Sequence, residues 1–346
     1  ITHNMTGLLT LERVQVMSSP ANCVYISSQQ GAVAATQVVL NGCGATGFFA
    51  EATGGVKMTA SHIAGAGGSG INLIVGDTVT MLNVSSSSNT GDGLYLVGMP
   101  DTAPRVSLTA FSATRNQEEG AQIITRGAVS VDRSDFVGNA GVGLYVENNA
   151  PDTTQPVTVL RSQFLRNAAS ANIISTGRIL MDGIRSELNH DYPNLVLNNS
   201  SGTQPIQFTN RLGPNVFANN EGPLSLYSGA QATVTGVSAV HSQGIEIGAS
   251  NGSVTVSRVR VTASQAFPGL AITSGGATTL ADVQVNQTNS LGITILATTE
   301  NAPMRILRTQ ANGNTGPGIS LSGSGRTQIS QVEASNNNAF GMTLSN

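Results

Sequence analysis

Apolar residues come in pairs two positions apart, as at Ile71/Leu73, Leu94/Leu96, Leu144/Val146, Ile245/Ile247 and Ile293/Ile295. That alternation predicts short strands with one buried face. A second alternating pair follows each time, at Val56/Met58, Val79/Met81, Val106/Leu108, Val129/Val131, Val157/Val159, Ile206/Phe208, Val254/Val256 and Met304/Ile306. A third apolar site comes next, at Phe111, Phe136, Phe164, Val259, Val283 and Val332. The unit is therefore three short strands separated by turns.

The first strand of each unit starts at Val24, Phe48, Ile71, Leu94, Ala121, Leu144, Ala171, Leu195, Leu224, Ile245, Leu270, Ile293, Ile319 and Met342. From Val24 to Met342 is 318 residues in thirteen steps, about 24.5 residues each, a period that signals a repeat architecture. Three strands in that length leave no room for crossover helices. Parallel stacking of equivalent strands at roughly 4.8 Å per coil gives every strand two hydrogen-bonded neighbours. Fourteen or fifteen coils at that spacing predict a rod of about 70 Å.

Columns of identical positions fit this winding. Gly precedes the first strand at Gly47, Gly70, Gly93, Gly120, Gly143 and later units, and Asn recurs in the preceding turn at Asn89, Asn116, Asn139, Asn167, Asn189, Asn220, Asn289, Asn314 and Asn338. Stacked Asn tolerates left-handed backbone and shares amide hydrogen bonds along a ladder, so a structural role is expected. The Phe-x-x-Asn, small residue, Gly-Ile/Leu-x-Ile/Leu pattern, as in Phe136 to Val146, resembles the coil repeat of right-handed parallel β-helix proteins of the pectate-lyase-like superfamily. The resemblance implies an all-β right-handed solenoid over residues 1–346, read as one domain and as a segment of a longer polypeptide. That superfamily holds polysaccharide lyases, glycoside hydrolases, tailspikes, adhesins and noncatalytic surface proteins, and fold does not choose among them.

Composition narrows the choice. Forty glycines, no Trp and 10% charged residues describe a chain rich in β and turn formers, while 39% hydrophobic residues suffice for a narrow continuous core. A net charge of −3 with Lys57 as the single lysine leaves no basic stripe for nucleic acid. No apolar run reaches the roughly 20 residues of a membrane span. The surface character points to an extracellular or cell-surface protein. Its expected partners are surface glycans, or other subunits covering the solenoid ends, since open ends expose strand edges. Cys23 and Cys43 differ by about four residues in their offset within the repeat, an arrangement that leaves a bridge open and leans slightly toward two separate buried thiols.

Candidate chemistry is sparse, and no cofactor or metal site is expected. Outward positions of the first strand hold Tyr25, Phe49, Asn72, Tyr95, Gln122, Tyr145 and Asn172. Tyr95 and Tyr145 lie two coils, roughly 10 Å, apart with Gln122 between them, and Glu147 and Asn172 beside them. Such a face suits stacking on a glycan, although amphipathic rings are also ordinary at half-exposed sheet positions. Proline-bearing loops at Met99 to Pro104, Asn148 to Pro156, Asn198 to Pro205 and Thr298 to Pro303 share one corner, where insertions often mark a binding edge. Arg133, Arg161, Arg258 and Arg308 form a column next to Asp132 and Asp135, expected to be solvated ion pairs.

A catalytic acid cluster is not evident among the outward acids Glu51, Glu147 and Glu246, which are several coils apart. Asp182, Glu187, His190 and Asp191, close to Arg185, are the densest polar group and the weaker catalytic candidates, His190 beside Asp191 being a conceivable pair. The residues thus favour a noncatalytic structural, adhesin or fibre-type scaffold, with a carbohydrate-active enzyme as the alternative.

Overall fold

The computed structural model describes residues 2–3, 6–149, 154–191, 193–265 and 267–345, with the side chains of 2, 3, 28 and 29 undescribed. It is an all-β parallel solenoid of about 14 turns, with no helix among the described residues. All fourteen positions expected to open a coil do open a strand, from Val24–Gln29 through Leu144–Asn148 and Ile245–Ala249 to Met342–Ser345. Two compact units divide the chain, residues 1–175 and residues 176–346.

In the first unit the strands Phe48–Ala52, Ile71–Val75, Leu94–Gly98, Ala121–Ile124, Leu144–Asn148 and Ala171–Ser175 pair in parallel without a register slip. Side chains alternate, so Leu144, Val146 and Asn148 are buried while Tyr145 and Glu147 reach the outer face. Phe111, Phe136 and Phe164 are all buried, and the last two stack with centroids 5.1 Å apart. Phe111, Val259, Val283 and Val332 were expected in the same column, but Phe136 pairs with Ala113, and further along it is Val261 and Val285 that follow Phe217 and Ala239, with Val259, Val283 and Val332 two residues away. Phe111 instead fills the neighbouring inward column, where its backbone N–H donates to Ser134. Bulk at one position is matched by a small residue at the next, which keeps the narrow core filled.

In the second unit the first-strand sheet continues the same pattern from Leu195–Asn199 to Met342–Ser345. From Val254 onward the second and third strands join into nine-residue strands, Val254–Thr262, Thr278–Asn286 and Met304–Asn312, so these coils carry two strands and not the expected three. Each still bends at a left-handed residue, Arg258, Asp282 or Arg308.

The Asn ladder is present, with one change of mechanism. Asn89, Asn116 and Asn139 each pass an amide N–H to the side-chain carbonyl oxygen of the next, at 2.8 to 2.9 Å, in a run that reaches Asn167. Left-handed backbone falls on the residue before, at Ser88, Arg115, Gly138 and Arg166, and not on the Asn. Two expected members are displaced: Asn314 bonds to Asn337 and not Asn338, and Thr288 takes the place expected for Asn289. The Gly before each strand is required by close approach. A Cβ on Gly143 would sit 2.7 Å from the Ser170 carbonyl oxygen, and one on Gly93 would sit 2.5 Å from that of Gly120.

Cys23 and Cys43 are bonded, with Cα atoms 5.5 Å apart, against the expectation of separate thiols. The turn carrying Cys43 folds back over the preceding coil, Gly44 N–H donating to the Ser19 carbonyl and Ala45 N–H to that of Ala21. A four-residue offset in sequence is thereby spanned by one narrow turn.

Candidate functional site

Register brings the expected outward residues of the first unit into one column. Tyr25 pairs with Phe49, Phe49 with Asn72, Asn72 with Tyr95, Tyr95 with Gln122, Gln122 with Tyr145 and Tyr145 with Asn172. Tyr95, Gln122, Tyr145 and Asn172 are all half-buried, as rings and amides lying along a sheet are. At the start of the column the Tyr25 and Phe49 rings stack, 4.9 Å apart and 14° from parallel. The Asn72 side-chain oxygen is covered and has no hydrogen-bond partner.

The next outward column holds Glu147 between Ile124 and Ile174. Tyr145 donates its hydroxyl to Glu147 Oε2 at 3.3 Å. Burial, then the charge and hydrogen bond of Glu147, and then the charge of Glu119 push the Tyr145 hydroxyl above its usual pKa. Glu119 is therefore electrostatically part of this face.

Glu119 belongs to a group of turn acids outside the outward strand positions. Carboxylate oxygens of Asp92, Glu118 and Glu119 lie within 4.8 Å of one another, which corrects the expectation that no acid cluster exists. Asp92 precedes Gly93 and Glu119 precedes Gly120, so the two hold the same repeat position in successive coils. That shared offset was the available signal; attention to outward strand positions missed it because both residues are in turns. Asp92 is 4% exposed and its Oδ1 accepts the Glu119 backbone N–H at 3.1 Å. Burial first, then hydrogen bonding and repulsion from Glu119, raise its carboxyl to about 7. Oxygen-only ligands suit calcium or magnesium chemistry. A proton shared between Asp92 and Glu119 is sufficient to relieve the repulsion without an ion.

At the other end of these strands the loop after Leu94–Gly98 walls a cleft of about 370 Å³ with Met99, Pro100, Thr102, Arg126 and Glu147. Its base is the short turn at Thr125, whose hydroxyl donates to the Pro104 carbonyl at 2.8 Å and accepts from Gly127 N–H. Asn149, near the start of the loop from Asn148 to Pro156, also lines this cleft. Residues 150–153 of that expected insertion lie outside the described residues; Asn148 donates to the Gln155 carbonyl at the far end of the loop and to the Gly127 carbonyl in the preceding coil.

The second polar group is dispersed into structural roles. Asp182 is buried and accepts from Thr209 Oγ1, Arg211 N–H and Leu212 N–H, holding the turn that follows Ile206–Thr209. Glu187 accepts two hydrogen bonds from Arg185, at 2.8 and 2.9 Å. His190 and Asp191 are both exposed. Three of the four arginines form the expected solvated pairs, Arg133 and Arg161 converging on Asp132 and Arg308 gripping Asp282, whereas Arg258 donates to Asn210 and Asp135 accepts from Gln163.

Residues 1–164 match the family described as "Right handed beta helix region". No curated protein matches the chain. Among solved structures the chain is similar to the catalytic domain of a GH87 alpha-1,3-glucanase, determined as a substituted form in complex with tetrasaccharides. The identity is 7% and the TM-score 0.38, over 98% of this chain and 64% of that one. The chain thus spans less than two thirds of that protein, and a likeness this distant carries no weight for activity.

Proposed function

We propose that this right-handed parallel β-helix is a noncatalytic extracellular scaffold, and that its first unit presents a glycan-binding face formed by Tyr95, Gln122, Tyr145, Glu147 and Asn172. The observation that carries this reading is the unbroken register of that column, in which rings and amides alternate at the strand spacing. Aromatic rings stack on the C–H faces of sugars, while amide and carboxylate groups between them take hydroxyls. Asp92, Glu118, Glu119 and Glu147 make the surroundings acidic, which favours neutral or amine-bearing glycans over acidic ones. The Cys23–Cys43 bridge supports an oxidising, extracellular setting.

The test is affinity electrophoresis of the whole chain through gels containing neutral, basic or acidic polysaccharides. Retardation by a neutral or basic glycan is expected. Removing one aromatic anchor, by Tyr95→Ala or Tyr145→Ala, is expected to weaken binding about 5- to 30-fold, from roughly 1–2 kcal/mol per anchor. No retardation by any glycan, or retardation indifferent to both substitutions, sinks the proposal.

A carbohydrate-cleaving enzyme is the second reading, favoured by the adjacent Asp92 and Glu119 carboxyls, one of them protonated near neutrality. Against it stands the burial of Asp92, which leaves that carboxyl little access to a substrate. New reducing ends from a neutral glycan, lost on Asp92→Asn, would establish the enzyme and displace the noncatalytic scaffold.

A further inference from the structure

In the second unit, a separate pocket of about 200 Å³ opens where the turns preceding Ile245–Ala249 and Leu270–Ser274 meet the outer face of those strands. Pro223, Ile245, Phe267, Pro268 and Ala271 supply its apolar walls, and Gln243 and Glu246 its polar groups.

Register explains why there is room. Glu246 pairs with Ala271 on one side and Ser225 on the other, so its neighbours in the outward column are small. Gly248 leaves space for the Tyr227 ring, whose Cδ1 lies only 3.3 Å from where a Cβ on Gly248 would stand. From that position Tyr227 donates its hydroxyl to Glu246 Oε2 at 2.6 Å, and Ser225 Oγ donates to the same oxygen at 3.3 Å. Both bonds fall on Oε2, and Oε1 has no donor among the described residues. Gln243 Oε1, beside it in the lining, is covered and without a partner. A buried acceptor left unpaired calls for a donor from elsewhere.

The geometry points to a monosaccharide site here, taking one neutral pyranose ring as a free sugar or the end of a glycan. Two acceptors in one small pocket match a pair of ring hydroxyls, which are donors. Phe267, 43% exposed, and the two prolines offer apolar surface to the C–H face of the same ring. The volume lies below the roughly 300–1,000 Å³ of sites for drug-sized ligands, so the pocket suits a single ring and not a chain. This site is independent of the face proposed for the first unit.

The test uses the full chain carrying both Tyr95→Ala and Tyr145→Ala, which removes both aromatic anchors of the first-unit face. Saturation-transfer NMR with methyl pyranosides of glucose, galactose, mannose and N-acetylglucosamine is expected to show saturable binding of at least one. Gln243→Leu removes an acceptor that has no protein partner, so it is expected to leave the melting temperature unchanged while weakening binding at least tenfold. Phe267→Ala is expected to weaken it by a similar factor. Absence of binding by every pyranoside, or binding that survives both substitutions, overturns the inference. Binding of benzylammonium without any pyranoside overturns it too, since that outcome assigns the pocket to apolar cations.

Discussion

Single carboxyls decide most of the electrostatics of the outer face. Asp92 illustrates how: it is buried and hydrogen-bonded to Glu119, and its folded pKa of about 7 lies above the ordinary 3.8. The folded chain therefore holds a proton that the unfolded chain releases at pH 3.8. Between pH 3.8 and about 7 the folded state binds more protons, so stability from this group falls as pH rises across that window and levels off above it. Asp92→Asn keeps the acceptor for the Glu119 N–H but cannot ionise. The variant is expected to equal the wild type near pH 4 and to exceed it by on the order of 2–4 kcal/mol at pH 8. Denaturant titrations at both pH values check this, and equal differences at the two would refute it. The Tyr column and its Glu147 neighbour could be read from the sequence because they sit in strands, where period two fixes the side that each residue faces. Asp92 and Glu119 could not be read so easily, since turn residues have no such rule and only their equal offset from the next strand links them. Asp182 misled for a related reason: a cluster of polar residues in one coil says nothing of which way each points, and Asp182 points into a turn that it holds closed.

At the scale of the element, the coil repeat was almost wholly legible, because each coil repeats the burial problem of the last. Strand starts follow from apolar anchors, and all fourteen are where the period places them. What escaped were positions where two neighbouring residues compete for one job. Asn337 and Asn338 are identical in type, and only the path of the turn selects Asn337 as the ladder member. Phe111 similarly lies two residues from the position facing Phe136, and register alone separates the two inward columns. The ladder also yields a sharp contrast in stability. Asn139 accepts from both the backbone and side-chain N–H of Asn116 and donates to Asn167 and Ala113. Asn139→Ala leaves those buried groups unpaired and is expected to cost about 2–4 kcal/mol. Asn338→Ala, at an exposed position beside the ladder, is expected to stay within about 0.5 kcal/mol. Urea denaturation of the two variants measures the difference; equal costs would mean that the ladder's amide bonds add nothing beyond surface propensity.

For the whole molecule, the solenoid's stability is a sum of coil terms and contacts between adjacent coils, so a local change should have local reach. The disulfide is the cleanest place to see this. It closes a loop of 20 residues in the first unit, between the start of Val24–Gln29 and the turn after Val39–Asn41. By loop-closure entropy such a crosslink contributes about 3 kcal/mol. In a chain with one global folding transition, replacing both cysteines by serine would lower protection from hydrogen exchange everywhere by the same factor. With stability summed coil by coil, the loss stays near the bridge. Exchange in Val24–Gln29 and Val33–Thr36 is expected to quicken by roughly a hundredfold, the equivalent of about 3 kcal/mol, while Ile245–Ala249 in the second unit keeps its wild-type rate. Peptide-resolved hydrogen–deuterium exchange at one pH and temperature distinguishes the two. Uniform acceleration across both units would overturn the nearest-neighbour picture. Local acceleration alone would also mean that substitutions at the first-unit face and at the second-unit pocket can be combined without altering each other's folding, which is the condition on which separate binding tests of the two depend.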